Sequence, residues 1–115
     1  MDNVDRWLGQ LRKGVVELLI LRLLTNAGEL HGYAIVKELL SRSGFSSGES
    51  TVYPVLRRLE ADRLLTSRWS EAGNGPPRKY YKVSEAGRTF MRRAAVEWDG
   101  LVESMARLTG GEGNE

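Results

Sequence analysis

Between Ser50 and Arg63 the chain reads STVYPVLRRLEADR, and two kinds of residue recur there with helical spacing. Val52, Leu56 and Leu59, with Val55 beside them, repeat at steps of four and three and so share one face of a helix. Thr51, Tyr53, Arg57 and Arg58 fall on the opposite face. Hydroxyl, phenol and guanidinium groups are donors suited to phosphate oxygens and base edges. A short helix with an apolar back and such a front fits a groove of nucleic acid. Taken alone, the same pattern also describes a surface helix with solvated arginines, so its neighbours must decide. Ser50 and Thr51 are expected as N-caps, with Pro54 within the first turn or just past it, where a missing N–H costs little.

Other chemistries find little support. No nucleophile–base pair or glycine-rich phosphate loop stands out, and the glycines punctuate turns, so no catalytic residues are expected and the chain reads as a non-enzyme. The 115 residues contain no cysteine and one histidine, His31. That excludes disulfides, thiolate metal sites and a cysteine nucleophile. A lone histidine without converging carboxylates makes no metal centre, and His31 reads as a cap or a packed ring; no metal and no cofactor are expected.

Composition describes one soluble domain, with 41% hydrophobic and 28% charged residues. The apolar run from Val15 to Leu24 is broken by Glu17 and Arg22 and is too short to span a bilayer. The N-terminus lacks the layout of a signal peptide, so no membrane association and a cytoplasmic location are expected. Charge is unevenly placed. From Ser50 to Arg93 ten bases face four acids, a net +6, which leaves −4 for the rest and +2 overall. Such a block suits a face directed at polyanions.

The elements that would position these residues follow from periodicity. Val4, Trp7, Leu8, Leu11, Val15, Leu18 and Leu19 lead into VVELLILRLL, a buried central helix with a break or frayed start near Gly9 and Gly14. Gly28 suits a left-handed cap. HGYAIVKELLSRSG makes a second helix with Tyr33, Val36, Leu39 and Leu40 as its stripe, closed by Gly44. FSSGE is a turn, and the STVYP helix follows in the reading position of a helix-turn-helix.

LTSRWSEA and RKYYKVS then alternate on either side of AGNGPP, predicting a two-stranded hairpin. Val83, Tyr81 and Lys79 share one face, and Arg78, Tyr80 and Lys82 the other. Ser84 caps a last helix whose Phe90, Ala94, Trp98, Leu101, Met105 and Leu108 form a near coiled-coil seam. A protruding seam of this kind suggests self-association. The fold class is thus mainly α with a small β-hairpin wing: a winged helix-turn-helix plus a C-terminal dimerisation helix. Residues 1–83 form the DNA-binding domain with the N-terminal helix included, 84–109 the dimerisation helix and 110–115 a disordered tail.

This order, with LRKGVVELLILRLL, LHGYAIVKEL, STVYPVLRRLEADRLL and GPPRKYYKVSEAGR, resembles the PadR family of bacterial transcriptional regulators from about Leu11 to Arg88. The terminal helix is similar in kind rather than in wording. The resemblance implies a homodimeric repressor that binds an inverted-repeat operator in double-stranded DNA and responds to small aromatic or drug-like molecules. The chain's length is similar to that of the short subfamily of multidrug-responsive repressors. There an effector can sit between tryptophans at the dimer centre, where Trp98 falls.

On this reading Ser50, Thr51 and Tyr53 present hydroxyls at the start of the reading helix, and Arg57 reaches a guanine edge or a phosphate. Arg78 and Lys79 on the wing contact backbone or lie over the minor groove. Gly32 and Tyr33 can anchor to phosphate through backbone N–H groups. Duller roles stay open: Tyr33 as core, Tyr53 packed on the wing, Trp98 as interface core only, and Arg58 and Arg63 solvated or paired with Glu60 and Asp62. A winged-helix protein-interaction adaptor without specific DNA binding is the alternative function. The retained front of the reading helix favours DNA.

Overall fold

The computed structural model describes residues 2–46, 48–71 and 73–113. Its elements in chain order are α1 (Asn3–Ala27), β1 (Leu30–His31), α2 (Gly32–Ser43), α3 (Glu49–Ala61), β2 (Leu65–Ser70), β3 (Arg78–Val83) and α4 (Glu85–Gly113).

The spine is α1. Asp2 caps it by accepting the Asp5 amide. The helix runs unbroken through Gly9 and Gly14, against the expected break. Each glycine costs about 1 kcal/mol relative to alanine, but the heavily apolar second half anchors the helix whatever happens at its exposed start. Val16, Ile20, Leu21, Leu23 and Leu24 are buried there, and burying such side chains is worth about 1.5–3 kcal/mol each. Gly28 stops the helix at φ 94°, as a glycine stop should, although its ψ of −89° lies outside the left-handed α region.

The second helix closes with Gly44 in the left-handed conformation, its N–H donated to the Leu40 carbonyl. The third begins earlier than expected. Gly48 is its N-cap and provides no side-chain hydrogen bond, so Ser50 and Thr51 lie in the first turn rather than capping it. Pro54 consequently sits inside the helix. It leaves the Ser50 carbonyl without an amide partner at a point where both residues are exposed to water. Ile35 and Leu39 of α2 pack against Val52, Val55, Leu56 and Leu59 of α3 and the spine, forming one core.

Strands β2 and β3 pair antiparallel from Leu65↔Val83 to Ser70↔Arg78. The sheet has a third strand that the hairpin reading missed: β1 pairs with β3 through Leu30↔Tyr81 and His31↔Tyr80, giving the order β1-β3-β2. Two residues are too few to show alternation, so periodicity gave no sign of it. Tyr81 and Val83 point into the core as expected.

Ser84 joins the wing to α4. Its hydroxyl donates to the Arg63 carbonyl at 2.7 Å and accepts the Gly87 amide at 3.0 Å, so the expected cap also ties the helix to the end of α3. Helix α4 lies on α1, with the Met91 sulfur 3.6 Å from the Thr25 hydroxyl, and then extends past the core to give a molecule 63 × 34 × 24 Å. It continues to Gly113, taking in 110–113 of the stretch expected as a disordered tail; the tail's last two residues, 114 and 115, lie outside the described residues.

Candidate nucleic-acid interface

The front of α3 is set by its back. With Val52, Val55, Leu56 and Leu59 locked in the core, Ser50, Thr51, Pro54, Arg57 and Arg58 are left exposed. Arg57 makes no hydrogen bond or ion pair among the described residues and so carries a free guanidinium. Arg58 does not pair with Glu60 or Asp62. It reaches Glu17 on α1, Nη2 to Oε1, at 3.0 Å, because those two helices cross there.

Tyr53 is half-buried, and the reason is Gly32. A Cβ on Gly32 would fall 2.4 Å from Cε1 of the Tyr53 ring, so only glycine lets the start of α2 lie against that tyrosine. Desolvation, then the charge of Glu49, pushes the Tyr53 phenol up from its ordinary value. It therefore keeps its proton and can donate. Tyr53 both packs and keeps an edge toward the wing. Tyr33 is 52% exposed, beside Lys37, whose ammonium lies 5.5 Å from the ring centroid. It belongs to the surface, not the core.

His31 caps α2: its Nδ1 accepts the Ala34 amide at 3.2 Å. Its ring meets Tyr80 edge-on at 5.4 Å, and its Nε2 lies 2.8 Å from Nη1 of Arg78. Burial, then the Arg78 charge, holds the imidazole below the usual histidine range. Both causes favour the neutral ring.

The wing is fastened to the reading helix. Lys79 Nζ meets Glu60 Oε1 at 2.9 Å, and the Ser67 hydroxyl donates to the other Glu60 oxygen. The Lys79 and Ser67 hydrogen bonds hold the Glu60 carboxyl below the ordinary carboxylate range, and the same bond raises Lys79. The two-residue period put Lys79 on the Tyr81 face, and its ammonium does lie over that ring at 5.4 Å. It is thus turned to Glu60 instead of outward, as a backbone contact would need. Arg78 remains exposed.

A second tie fixes the outer side. Arg68 binds Glu29 through two bonds, 2.9 and 2.7 Å, with its guanidinium 5.2 Å from the Tyr80 ring. This links the α1–β1 connection to the wing, and the Arg68 bond holds Glu29 low.

One residue of this surface was not anticipated. Trp69 is paired across the sheet with Lys79, on the core-facing side, yet is 66% exposed because it lies beyond the edge of the core. The step of two from Leu65 through Ser67 was the available signal. With His31, Tyr33, Tyr53, Pro77 and Arg78 it lines a slot of about 330 Å³ between the start of α2, the reading helix and the wing.

A larger concavity, about 860 Å³, lies between α1 and α4 and is lined by Leu11, Val15, Leu18, Phe90, Trp98 and Leu101 among others. The rest of the α4 seam, Met105 and Leu108, is exposed beyond it. Among the described residues no three His, Cys, Asp or Glu side chains converge as a metal site. No described helix is long and apolar enough to cross a membrane.

Known proteins share this architecture. The profile of the Transcriptional regulator PadR-like family matches residues 20–93. The transcriptional regulator Rv3488 of Mycobacterium tuberculosis is 37% identical over 91 residues, covering 76% of this chain and 82% of that protein. The crystal structure of a PadR-family transcriptional regulator from Eggerthella lenta superposes with a TM-score of 0.81 at 34% identity, over 91% of this chain and 90% of that one. Bacillus subtilis PadR in complex with operator DNA gives a TM-score of 0.65 at 28% identity, over 71% of this chain and 47% of that one.

Proposed function

The chain belongs to the PadR-like family of transcriptional regulators, and from that premise we propose that it acts as a homodimeric repressor. In this reading it binds an inverted-repeat operator in double-stranded DNA and is released by a small aromatic or drug-like effector. The observation that carries the DNA reading is the free front of α3, with Arg57 unpaired and Arg78 exposed on a wing fastened to that helix. Rigid positioning matters because base-edge contacts tolerate little displacement.

Ser50 and Thr51, in the first turn, would supply hydroxyls to the backbone and bases. Arg57, one turn on, would reach a guanine edge or a phosphate, and Arg78 the backbone flanking the minor groove. At the start of α2, where a phosphate is stabilised by the helix dipole, Tyr33 is exposed and would offer its backbone amide, whereas Gly32 is buried against the Tyr53 ring. The reading carries with it a cytoplasmic location.

The exposed seam from Phe90 through Ala94, Trp98, Leu101 and Met105 to Leu108 supports the dimer, since a second copy would cover it. Its two reading helices would then stand about 34 Å apart, one turn of DNA. The groove beside Trp98 has the volume of a drug-sized site. A ligand there would touch both α1 and α4, so its binding would alter the spacing of the two reading helices.

The test is a fluorescence-anisotropy titration against its upstream intergenic duplex at two salt concentrations, with a scrambled duplex as control. Selective binding with two protomers per site, weakening about 10³-fold from 50 to 200 mM salt if some six phosphates are contacted, is expected. The double exchange Arg57→Glu and Arg78→Glu should abolish it. Equal weak binding to both duplexes, or a monomer without salt-sensitive binding, would sink the repressor reading in favour of a protein-docking role.

A further inference from the structure

An asparagine can lose its side-chain nitrogen when the next backbone nitrogen reaches the side-chain carbonyl carbon and nothing holds either group away. Among the described residues, Asn3 and Asn26 lie within α1 and are followed by Val4 and Ala27. Helical torsions hold those next nitrogens away from the side-chain carbon. Asn74 differs on both counts. It stands midway along the β2–β3 connection, 71–77, outside every helix and strand, and it is exposed. Its successor is Gly75, where an added Cβ would meet nothing within 4 Å. Among the described residues no hydrogen bond holds the Asn74 carboxamide or the Gly75 amide.

Glycine matters at position 75 because no side chain shields its nitrogen and its backbone turns freely. Exposed loop tips of small and polar residues are also where a chain is least restrained. The register places the pair in the molecule. Ser70 and Arg78 are the last partners of β2 and β3, so Asn74 lies at the tip of the wing beyond them. A carboxylate at Asn74 would lower the net charge of Ser50–Arg93 from +6 to +5. It would do so at the end of the wing that also carries the exposed Arg78.

We propose that Asn74–Gly75 is a site of spontaneous covalent modification that turns the wing tip from neutral to anionic. The Gly75 nitrogen gives its proton to hydroxide and bonds to Cγ of Asn74. The bond from Cγ to the carboxamide nitrogen breaks, ammonia leaves, and a five-membered succinimide remains. Water opens that ring at either carbonyl, giving aspartate in the original chain or isoaspartate with the chain routed through Cβ and Cγ. In sum, water is consumed and ammonia released, with nothing oxidised or reduced. Either product is a carboxyl with an ordinary pKa of about 4, ionised at neutral pH. The consequence for DNA rests on the regulator reading above: a negative charge beside phosphates repels them, so operator affinity declines as the protein ages.

The experiment ages the full chain at mildly alkaline pH and follows two readouts. Trypsin releases residues 69–78 as one peptide, because Arg68 and Arg78 bound it. Its mass reports the exchange of NH for O, and an isoaspartyl methyltransferase with a labelled methyl donor counts the isoaspartyl product. Affinity is measured for a duplex enriched from a random-sequence library by the fresh wild-type protein. The folded chain should convert at close to the rate of the free 69–78 peptide, faster as pH rises. Gly75→Ala should stay intact over the same period, and its Cβ has room, so the wing is undisturbed. Asn74→Asp should bind the duplex about threefold more weakly per wing from the start, and the deficit should shrink in high salt.

Affinity of the wild type should fall in step with conversion, while that of Gly75→Ala holds. Conversion far slower in the folded chain than in the free peptide would show that the turn protects Asn74, and would overturn the site. An equal decline in Gly75→Ala, or full conversion with affinity unchanged, would overturn its effect on binding. Enrichment of no sequence by fresh protein would overturn the regulator reading instead, and the mass of the 69–78 peptide would still decide the modification.

Discussion

At the scale of single residues, two glycines mark where backbone must approach closely, and they should respond differently. A Cβ on Gly87 would lie 2.1 Å from the Leu64 carbonyl oxygen and 2.8 Å from Cγ1 of Val83. The carbonyl cannot move without shifting the end of α3, so Gly87→Ala should destabilise by about 1–3 kcal/mol in a denaturant melt. At Gly32 the obstacle is the Tyr53 ring, a side chain that can swing. Gly32→Ala should therefore keep more stability and lose DNA affinity, by about tenfold in the anisotropy titration, because Tyr53 is driven toward the slot. Tyr33 shows the limit of stripe reading: it continued an apolar pattern on paper, yet its ring is on the surface.

His31 makes a pH prediction at the same scale. Its surroundings are the Arg78 cation and Tyr80 ring from β3 and the start of α2, none of which favours a proton on the imidazole. The unfolded chain takes its proton near the ordinary value of 6.5, while the folded one resists. Stability contributed by the neutral ring is therefore full above that value and is lost as pH falls below it toward the folded value. Melting temperatures of wild type and His31→Asn, which keeps a capping oxygen, should diverge between pH 7.5 and 5.5, wild type dropping further. Parallel drops would show that His31 is not the cause.

Between elements, the Glu60–Lys79–Ser67 junction ties α3 to both strands of the wing. Both charged side chains are about a third exposed (32% and 30%), so the pair contributes under about 1 kcal/mol to stability. Its larger role is orientation. Glu60→Gln should melt within about that margin of wild type and yet bind the selected duplex several-fold more weakly.

Since Glu60 is held below the ordinary carboxylate value of 4.5, its contribution is present above that pH and disappears as pH falls through the folded value. The stability gap between wild type and Glu60→Gln should close over that range. A gap that persisted in acid would assign the effect to packing rather than to charge.

For the whole molecule, the question is what covers α4. Leu101 is 67% and Leu108 77% exposed in the single chain, on a helix that extends past its own core. A second copy offers the same seam in return, the arrangement of a two-fold interface. Sedimentation should give twice the 12.9 kDa chain mass, and Leu101→Glu should give the chain mass while leaving the helical signal of each protomer. Operator affinity should fall with the dimer, since two half-sites are then read by independent chains. A wild-type protein that sediments as a monomer would remove the basis for an inverted-repeat operator.

How much of this could be read from the chain alone follows from the range of the interactions involved. Helix faces are local: repeats of three and four residues determined that Val52, Val55, Leu56 and Leu59 would be buried and Arg57 exposed, and put Phe90, Ala94, Trp98, Leu101, Met105 and Leu108 on one stripe of the last helix. Four quoted segments carried the family, and the wing's alternation assigned Tyr81 and Val83 inward. Tertiary structure decided the partner of each charge. Arg58 chose Glu17, Arg68 chose a glutamate 39 residues away, and Arg78 met a histidine 47 residues away. Those pairings depend on how elements cross and on the register of three strands, which no periodicity within one element encodes. The same holds for Trp69: its side of the strand was legible, but only the packed fold left it at the mouth of a slot.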